Sequence, residues 1–456
     1  MKNGQSVIIS YLRKRGYQTI PSDFYAKIQE WKDWYINGVD EYHKRYIYNG
    51  KSVVEKDIKS LGMAKTVSEI WGNLLMNEKV GISTGIEASD KALKEILNDN
   101  GFEVKANQLC EMYCALGTGA FVEYIEQGRI CIDYINADLI YPLSWNNRGI
   151  TECAFGSNVR INNEDCIYIQ MHLLNGGKYV IENHLLKVDD SETKELPLPE
   201  GLLPTVNTNS DIPLFQIVKP NIVNNAYETL SLPMGASVYS GAIDVLQTID
   251  NTFDSLDIEV ETGRRVVFLK ASGFYTDEQG RQHNVISDKE TVLRSIGDAG
   301  EDDNAMIHDF SPALRTSEIK EALQLQLNLL SQKVGMGANQ FEFTDRGLKT
   351  ATEVISEDSD LYQNLKKHEI VLRKALIDLV NAISFLSNTV GSFIPIKEVV
   401  IDFDDSIIED SEAERKQDQI DLGNGTLRPE EYRARWRGES IEQALANLPQ
   451  QAEVME

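Results

Sequence analysis

The segment from Pro233 to Val354 constrains this chain most, because two helical patterns there bracket a stretch of different period. Tyr239, Ile243, Leu246, Ile249, Phe253, Leu256 and Val260 step by threes and fours, which places them on one face of an α-helix spanning 234–261. Asp250, Asp254, Asp257 and Glu261 step by four, three and four and form a second stripe, roughly a quarter-turn from the apolar one. Like charges so spaced cost a helix about 0.2–0.5 kcal/mol per pair. A solvated face is the ordinary explanation. The sharper one is a face that meets something tolerant of negative charge.

After Gly263 the residues Arg265 to Leu269 read as a strand, a polar segment holds Asp277, Glu278 and the run Asp298 to Asp303, and Met306 to Phe310 reads as a second strand. A helix resumes near Thr316 with Ile319, Leu323, Leu327, Leu330 and Val334 on one face. Leu323, Leu325, Leu327 and Leu329 also alternate as a strand would, but length and the Gln, Glu, Lys and Ala content favour helix. Neither helix has enough chain beside it to bury a full stripe, so packing against further copies is expected.

The flanking chain is mixed. Residues 22–37 form an aromatic-rich amphipathic helix with Ser22 as candidate N-cap, and helices follow at 63–79, 90–97 and 106–116. Gly117-Thr118-Gly119 lacks a following Gly-Lys-Ser/Thr and precedes a strand, which argues against a phosphate loop. Hairpins are expected at 121–134 and 166–181, and Leu196 to Pro204 is an exposed Pro-rich loop. A long helix beginning near Thr350 carries Leu361, Leu365, Leu372, Leu376, Leu379, Ile383, Leu386 and Val390 in one stripe, with His368 as its polar member. A lone histidine there is more often a satisfied core residue than a ligand. Gly391 and Pro395 end the helix, and a strand covers 399–403. Asp402, Asp404 and Asp405 bunch at that strand's end as carboxylates do in two-metal nucleases, although a solvated turn or a contact between copies explains them more simply. Pro429 suits a first helical turn, and Ser440 to Gln443 is a capping box.

At 456 residues two or three domains are expected, and 42% hydrophobic with 25% charged residues is an ordinary globular composition. No apolar run is long enough for a membrane span, and the start of the chain lacks a secretory signal, which implies cytoplasmic synthesis. Cys110, Cys114, Cys131, Cys153 and Cys166 are odd in number and scattered, as buried reduced thiols would be. The formal charge is −26, with no dense Lys/Arg cluster. Charge alone therefore does not suggest a nucleic-acid partner; an acidic chain handling DNA would repel it and let it slide.

The run Gly347-Leu348-Lys349-Thr350-Ala351-Thr352-Glu353-Val354, with Ser356-Glu357-Asp358-Ser359, resembles the stretch after the tunnel loop in portal proteins of tailed bacteriophages. Gly335 to Phe341 sits where those proteins place that loop, and Gly235 to Ser240 followed by Asp250 to Asp254 is similar to their first stem helix. The resemblance implies an α+β portal fold in a ring, with twelve copies typical. It assigns 1–232 to an α+β wing, 233–262 to a first stem helix, 263–314 to a small mixed clip, and 315–336 to a second, antiparallel stem helix. Residues 337–349 become the tunnel loop, 350–391 a long spine helix, and 392–456 a strand and short helical crown.

By the same resemblance the protein is a non-enzymatic conduit at one vertex of the virion capsid, without cofactor or membrane partner. Double-stranded DNA passes it without sequence specificity. Terminase large subunit and later head-completion or adaptor proteins bind the clip, through candidates Arg264, Arg265, Asp277, Glu278, Glu301, Asp302 and Asp303. Major capsid and scaffolding proteins meet the wing. Asn339, Gln340, Phe341, Glu342, Phe343, Thr344, Asp345, Arg346 and Lys349 are loop candidates for the bore, and Asp250, Asp254, Asp257, Glu261, Lys320 and Lys333 are candidates for its wall. Should the acids face a neighbour instead, Lys320, Lys333 and Arg264 are available as partners. Two other classes remain open: a metal-dependent DNA-processing enzyme using Asp402, Asp404 and Asp405, and a scaffold protein that passes no DNA.

Overall fold

The computed structural model describes residues 2–40, 42–48, 52–77, 80–161, 163–189, 192–228, 232–263, 266–270, 274–276, 278–279, 282–284, 293–296, 307–310, 313–337, 340–341, 351–403, 411–437 and 441–448. Helices α1 (Lys2–Lys14) and α2 (Ser22–Tyr35) open the chain. Ser22 is not the N-cap: Pro21 holds that place, and the Ser22 hydroxyl donates to Asp23 instead. Strands β1 (Lys44–Tyr48) and β2 (Val53–Asp57) pair as an antiparallel hairpin. Then come α3 (Met63–Leu75), β3 (Gly81–Ser83), α4 (Glu87–Asp99) and α5 (Phe102–Leu116).

The core of this body forms around α5. Phe102, Ala106, Leu109, Cys110, Tyr113, Cys114 and Leu116 are buried around much of its circumference, and α2, α3 and α4 pack on it. The Cys110 thiol is pushed up by burial to about 12, so it is an inert core group. Past α5, β4 (Gly119–Glu126) and β5 (Arg129–Asn136) form a hairpin whose turn residues Gln127 and Gly128 both take positive φ.

A larger antiparallel sheet follows: β6 (Ile140–Asn146), β7 (Gly149–Ile161), β8 (Glu164–Asn175), β9 (Lys178–Asp189) and β10 (Glu192–Leu196) pair in sequence order, and β11 (Thr205–Asn207) adds to β9. Strand β12 (Phe215–Val218) returns to pair with β4. The Gly-Thr-Gly after α5 is a packing device. A Cβ on Gly117 would lie 2.5 Å from the Gly235 carbonyl oxygen, and one on Gly235 would lie 2.2 Å from that of Gly117. The Thr118 hydroxyl accepts the Gly235 N–H at 2.9 Å.

The first helix of the central segment, α6 (Ile243–Thr262), begins nine residues later than the spacing predicts; Tyr239, at the far end of the apolar stripe, is buried in the body just before a short 3-10 turn, Ser240–Ala242. Strand β13 (Val266–Lys270) precedes β14 (Phe274–Thr276), β15 (Gln282–Asn284), β16 (Leu293–Ile296) and β17 (Ile307–Phe310). Within that module β13 lies parallel to β16 and antiparallel to β17. Helix α7 (Thr316–Lys333) then returns antiparallel to α6: Arg315 before its start meets Glu259 near the end of α6, and Lys333 at its end donates to the Gly241 carbonyl. Leu323, Leu327, Leu330 and Val334 are buried, so the alternating leucines belong to a helix.

Helix α8 (Ala351–Val390) is about 60 Å long at 1.5 Å per residue. It packs across β12, β4, β5 and α3, with Leu365, Leu372, Leu376, Leu379 and Ile383 buried. His368 behaves as a satisfied core residue. Its Nδ1 accepts the Asn221 N–H at 2.9 Å, its ring meets the edge of Trp71, and burial lowers its pKa to about 4. Strand β18 (Val400–Asp402) pairs with β3. Helices α9 (Ser411–Gly423), α10 (Pro429–Arg437) and α11 (Ile441–Ala446) close the chain, while Ser440 of the expected capping box lies outside the described residues. Here the reading of no basic cluster needs amending. Arg428, Arg433, Arg435 and Arg437 fall on or beside α10, with Arg435 and the Trp436 indole both bonded to Asp418.

Candidate functional site

The acidic stripe of α6 divides in two. Asp250 and Asp254 are 3% and 4% exposed, because the β1–β2 hairpin and residues 58–61 cover that side of the helix. A carboxylate removed from water must be paired and hydrogen-bonded to persist. Asp250 takes the Leu61 N–H at 2.9 Å and the Ser60 hydroxyl at 2.9 Å, with His43 Nε2 at 3.0 Å. Asp254 pairs with the Arg45 guanidinium at 2.8 Å and accepts the Lys59 N–H at 3.1 Å.

The expectation that all four acids line one wall therefore fails for Asp250 and Asp254. Both are consumed inside their own chain, by partners other than Lys320, Lys333 and Arg264. Lys320 is exposed, Lys333 is engaged with Gly241, and Arg264 lies outside the described residues. The true partners sit about 200 residues upstream in the run His43-Lys44-Arg45, a basic signal that helical spacing on α6 cannot reveal. Asp257 and Glu261 do face solvent, Glu261 3.9 Å from exposed Lys56.

The remaining candidates are spread over the chain. Glu278 is exposed on its turn, whereas Arg264, Arg265, Asp277, Glu301, Asp302 and Asp303 lie outside the described residues. Of the loop candidates, Gln340 and Phe341 are half-buried; the Phe341 carbonyl accepts from Gln324 Nε2 at 3.2 Å, which ties the start of the loop to α7. Asn339, Glu342, Phe343, Thr344, Asp345, Arg346 and Lys349 lie outside the described residues. Asp402 is exposed at the end of β18, opposite Gly81, while Asp404 and Asp405 also lie outside them. Among the described residues no three His, Cys, Asp or Glu side chains gather as a metal site.

A cleft of about 710 Å³ lies between α4, the β4–β5 turn and the end of α8. Its thiol, Cys131, has its pKa raised by burial, the wrong direction for a nucleophile. Two buried polar groups stand apart. Glu123 is fully buried with neither carboxylate oxygen bonded; burial raises its pKa to about 8, partly offset by the Gln216 amide. His172 has no hydrogen-bond partner and sits edge-on to Phe155 and Phe215, with burial lowering its pKa to about 3. Neither group opens onto anything that could react.

An antiparallel helix pair with a small strand module at its tip, a mixed body at its base and a long helix across that body is what the comparisons must explain. A family model described as phage portal protein, SPP1 Gp6-like, matches residues 17–419. The chain belongs to that phage portal family. Its members are structural components of the phage capsid, and serving as a portal there is what membership assigns to this chain. The match takes in α6, the β13–β17 module, α7 and α8 whole, and it ends inside α9. No curated protein matches this portal.

Proposed function

We propose that this portal assembles as a closed ring, typically of twelve copies, at one capsid vertex, and that double-stranded DNA enters and leaves the head through its hole. The family match over residues 17–419, with the antiparallel α6–α7 pair inside it, carries that reading. On it, residues 263–314 are the clip that receives terminase large subunit and later the head-completion or adaptor proteins. Residues 1–232 are the wing toward major capsid and scaffolding proteins, 337–349 project into the bore, 350–391 form the spine, and 392–456 the crown.

With Asp250 and Asp254 spent internally, Asp257 and Glu261 are the stripe's remaining carboxylates, and Lys320 is an exposed cation on the partner helix. Repeated around a ring, the two acids would present like charge to phosphates over a Debye length of about 8 Å, so DNA slides rather than adheres. The test is an Asp257→Lys, Glu261→Lys double variant scored for packaged DNA and for ring assembly. Intact rings that package less DNA support the channel role of these two acids. Normal packaging from intact rings removes it.

A further inference from the structure

Buried polar atoms without partners are not spread evenly through this chain. Among the described residues eleven side-chain nitrogens and oxygens are buried with no hydrogen bond, and five of them belong to Glu123, Gln216 and Tyr134. Register puts these three on one face of the β12–β4–β5 sheet. Phe121 pairs with Gln216 on one side and with Tyr134 on the other, and Glu123 follows Phe121 by two residues. Helix α5 covers that face: the Phe102 ring stacks on Phe121 at 6.1 Å, and Lys105 Nζ lies 5.6 Å from the centre of the Tyr134 ring.

A polar group taken out of water and left unpaired is costly, and three side by side call for a common partner. Glu123 is 0% and Gln216 4% exposed, so bulk water does not supply it. No charged side chain supplies it either. Burial raises the Glu123 pKa, offset only by the Gln216 amide and the residue's own backbone N–H. Glu103 and Lys105 on α5 and Asp133 on β5 are exposed, and on α8 the buried acid Glu369 is spent on Lys366 and Arg373.

The donor set says which partner. Carboxylate, amide and phenol oxygens are hard ligands, suited to alkali and alkaline-earth ions rather than to zinc or copper. Glu123 brings one negative charge, and the other two side chains are neutral. A monovalent cation leaves such a buried site neutral, whereas a divalent one leaves an uncompensated charge inside the protein. A cleft of about 390 Å³ between α5 and β5, with Lys105, Gln108, Ile132 and Tyr134 in its lining, reaches the flank of that face from solvent. Ile132 is the cross-strand partner of Glu123.

We infer that Glu123, with Gln216 and Tyr134, binds a single alkali-metal cation at the α5 face of this sheet. The ion takes the place of the Glu123 proton, which passes to solvent, and it ties the returning strand β12 to the β4–β5 hairpin. This stands apart from the ring reading above.

The experiment melts the full-length chain, followed by far-ultraviolet circular dichroism, in potassium, sodium and choline chloride at equal ionic strength. At pH 9, where the Glu123 carboxyl is ionised, potassium or sodium raises the melting temperature by about 2 °C or more over choline. At pH 5 the three salts agree. Glu123→Gln abolishes the difference at pH 9, and Tyr134→Phe, which keeps the carboxylate, shrinks it. Magnesium chloride at the same ionic strength does no better than choline. No alkali-specific shift at pH 9, or an equal shift in Glu123→Gln, overturns the site. A magnesium effect larger than the alkali one overturns the assignment to a monovalent ion. If Glu123→Gln does not fold, Tyr134→Phe decides, and an undiminished shift in it overturns the proposal.

Discussion

Glu123 is the residue where solution conditions reach furthest into the fold. Its pKa is raised from 4.5 to about 8 by burial, so the folded chain holds a proton that the unfolded chain releases. Stability from this group is fully present below about pH 4.5 and is lost as pH rises through about 8. The buried imidazoles act oppositely: with His368 lowered to about 4 and His172 to about 3, their contribution is present above about pH 6.5 and lost as pH falls toward those values. Glu123→Gln should leave the melting temperature unchanged near pH 4.5 and raise it at pH 8, by roughly a few kcal/mol of stability, flattening the alkaline limb. An unchanged slope between pH 5 and 8 would contradict the assignment. Nothing local in the sequence marks Glu123 as buried, since Val122-Glu123-Tyr124 alternates as any half-exposed strand does. Its burial comes from β12, which returns from more than 90 residues downstream.

The α6–hairpin junction is held by a few bonds that can be cut one at a time. Asp250→Ala removes the acceptor for Leu61 N–H and Ser60 Oγ and strands His43. The segment from His43 to Leu61 should lose about 3 kcal/mol or more of local stability, read as faster hydrogen exchange at the Leu61 amide. Asp257→Ala, exposed and on the same stripe, should change it by less than about 0.5 kcal/mol. Equal effects from the two would mean that the stripe is uniform after all. Periodicity made both central helices legible, because a single apolar face is enough to define them. The start of α6 was not, because Tyr239 continues the stripe by number while the Gly117–Gly235 approach pulls the preceding chain into the body. Which acids are free was equally invisible, since their partners lie far away in the chain.

At the scale of the molecule, family membership was legible from short runs around Gly235 and Gly347. The most direct test of the central claim is electron microscopy of the purified full-length chain, with particles averaged without imposed symmetry. The account predicts rings with a central hole of about duplex width. Compact single-chain particles at every salt and protein concentration would contradict it.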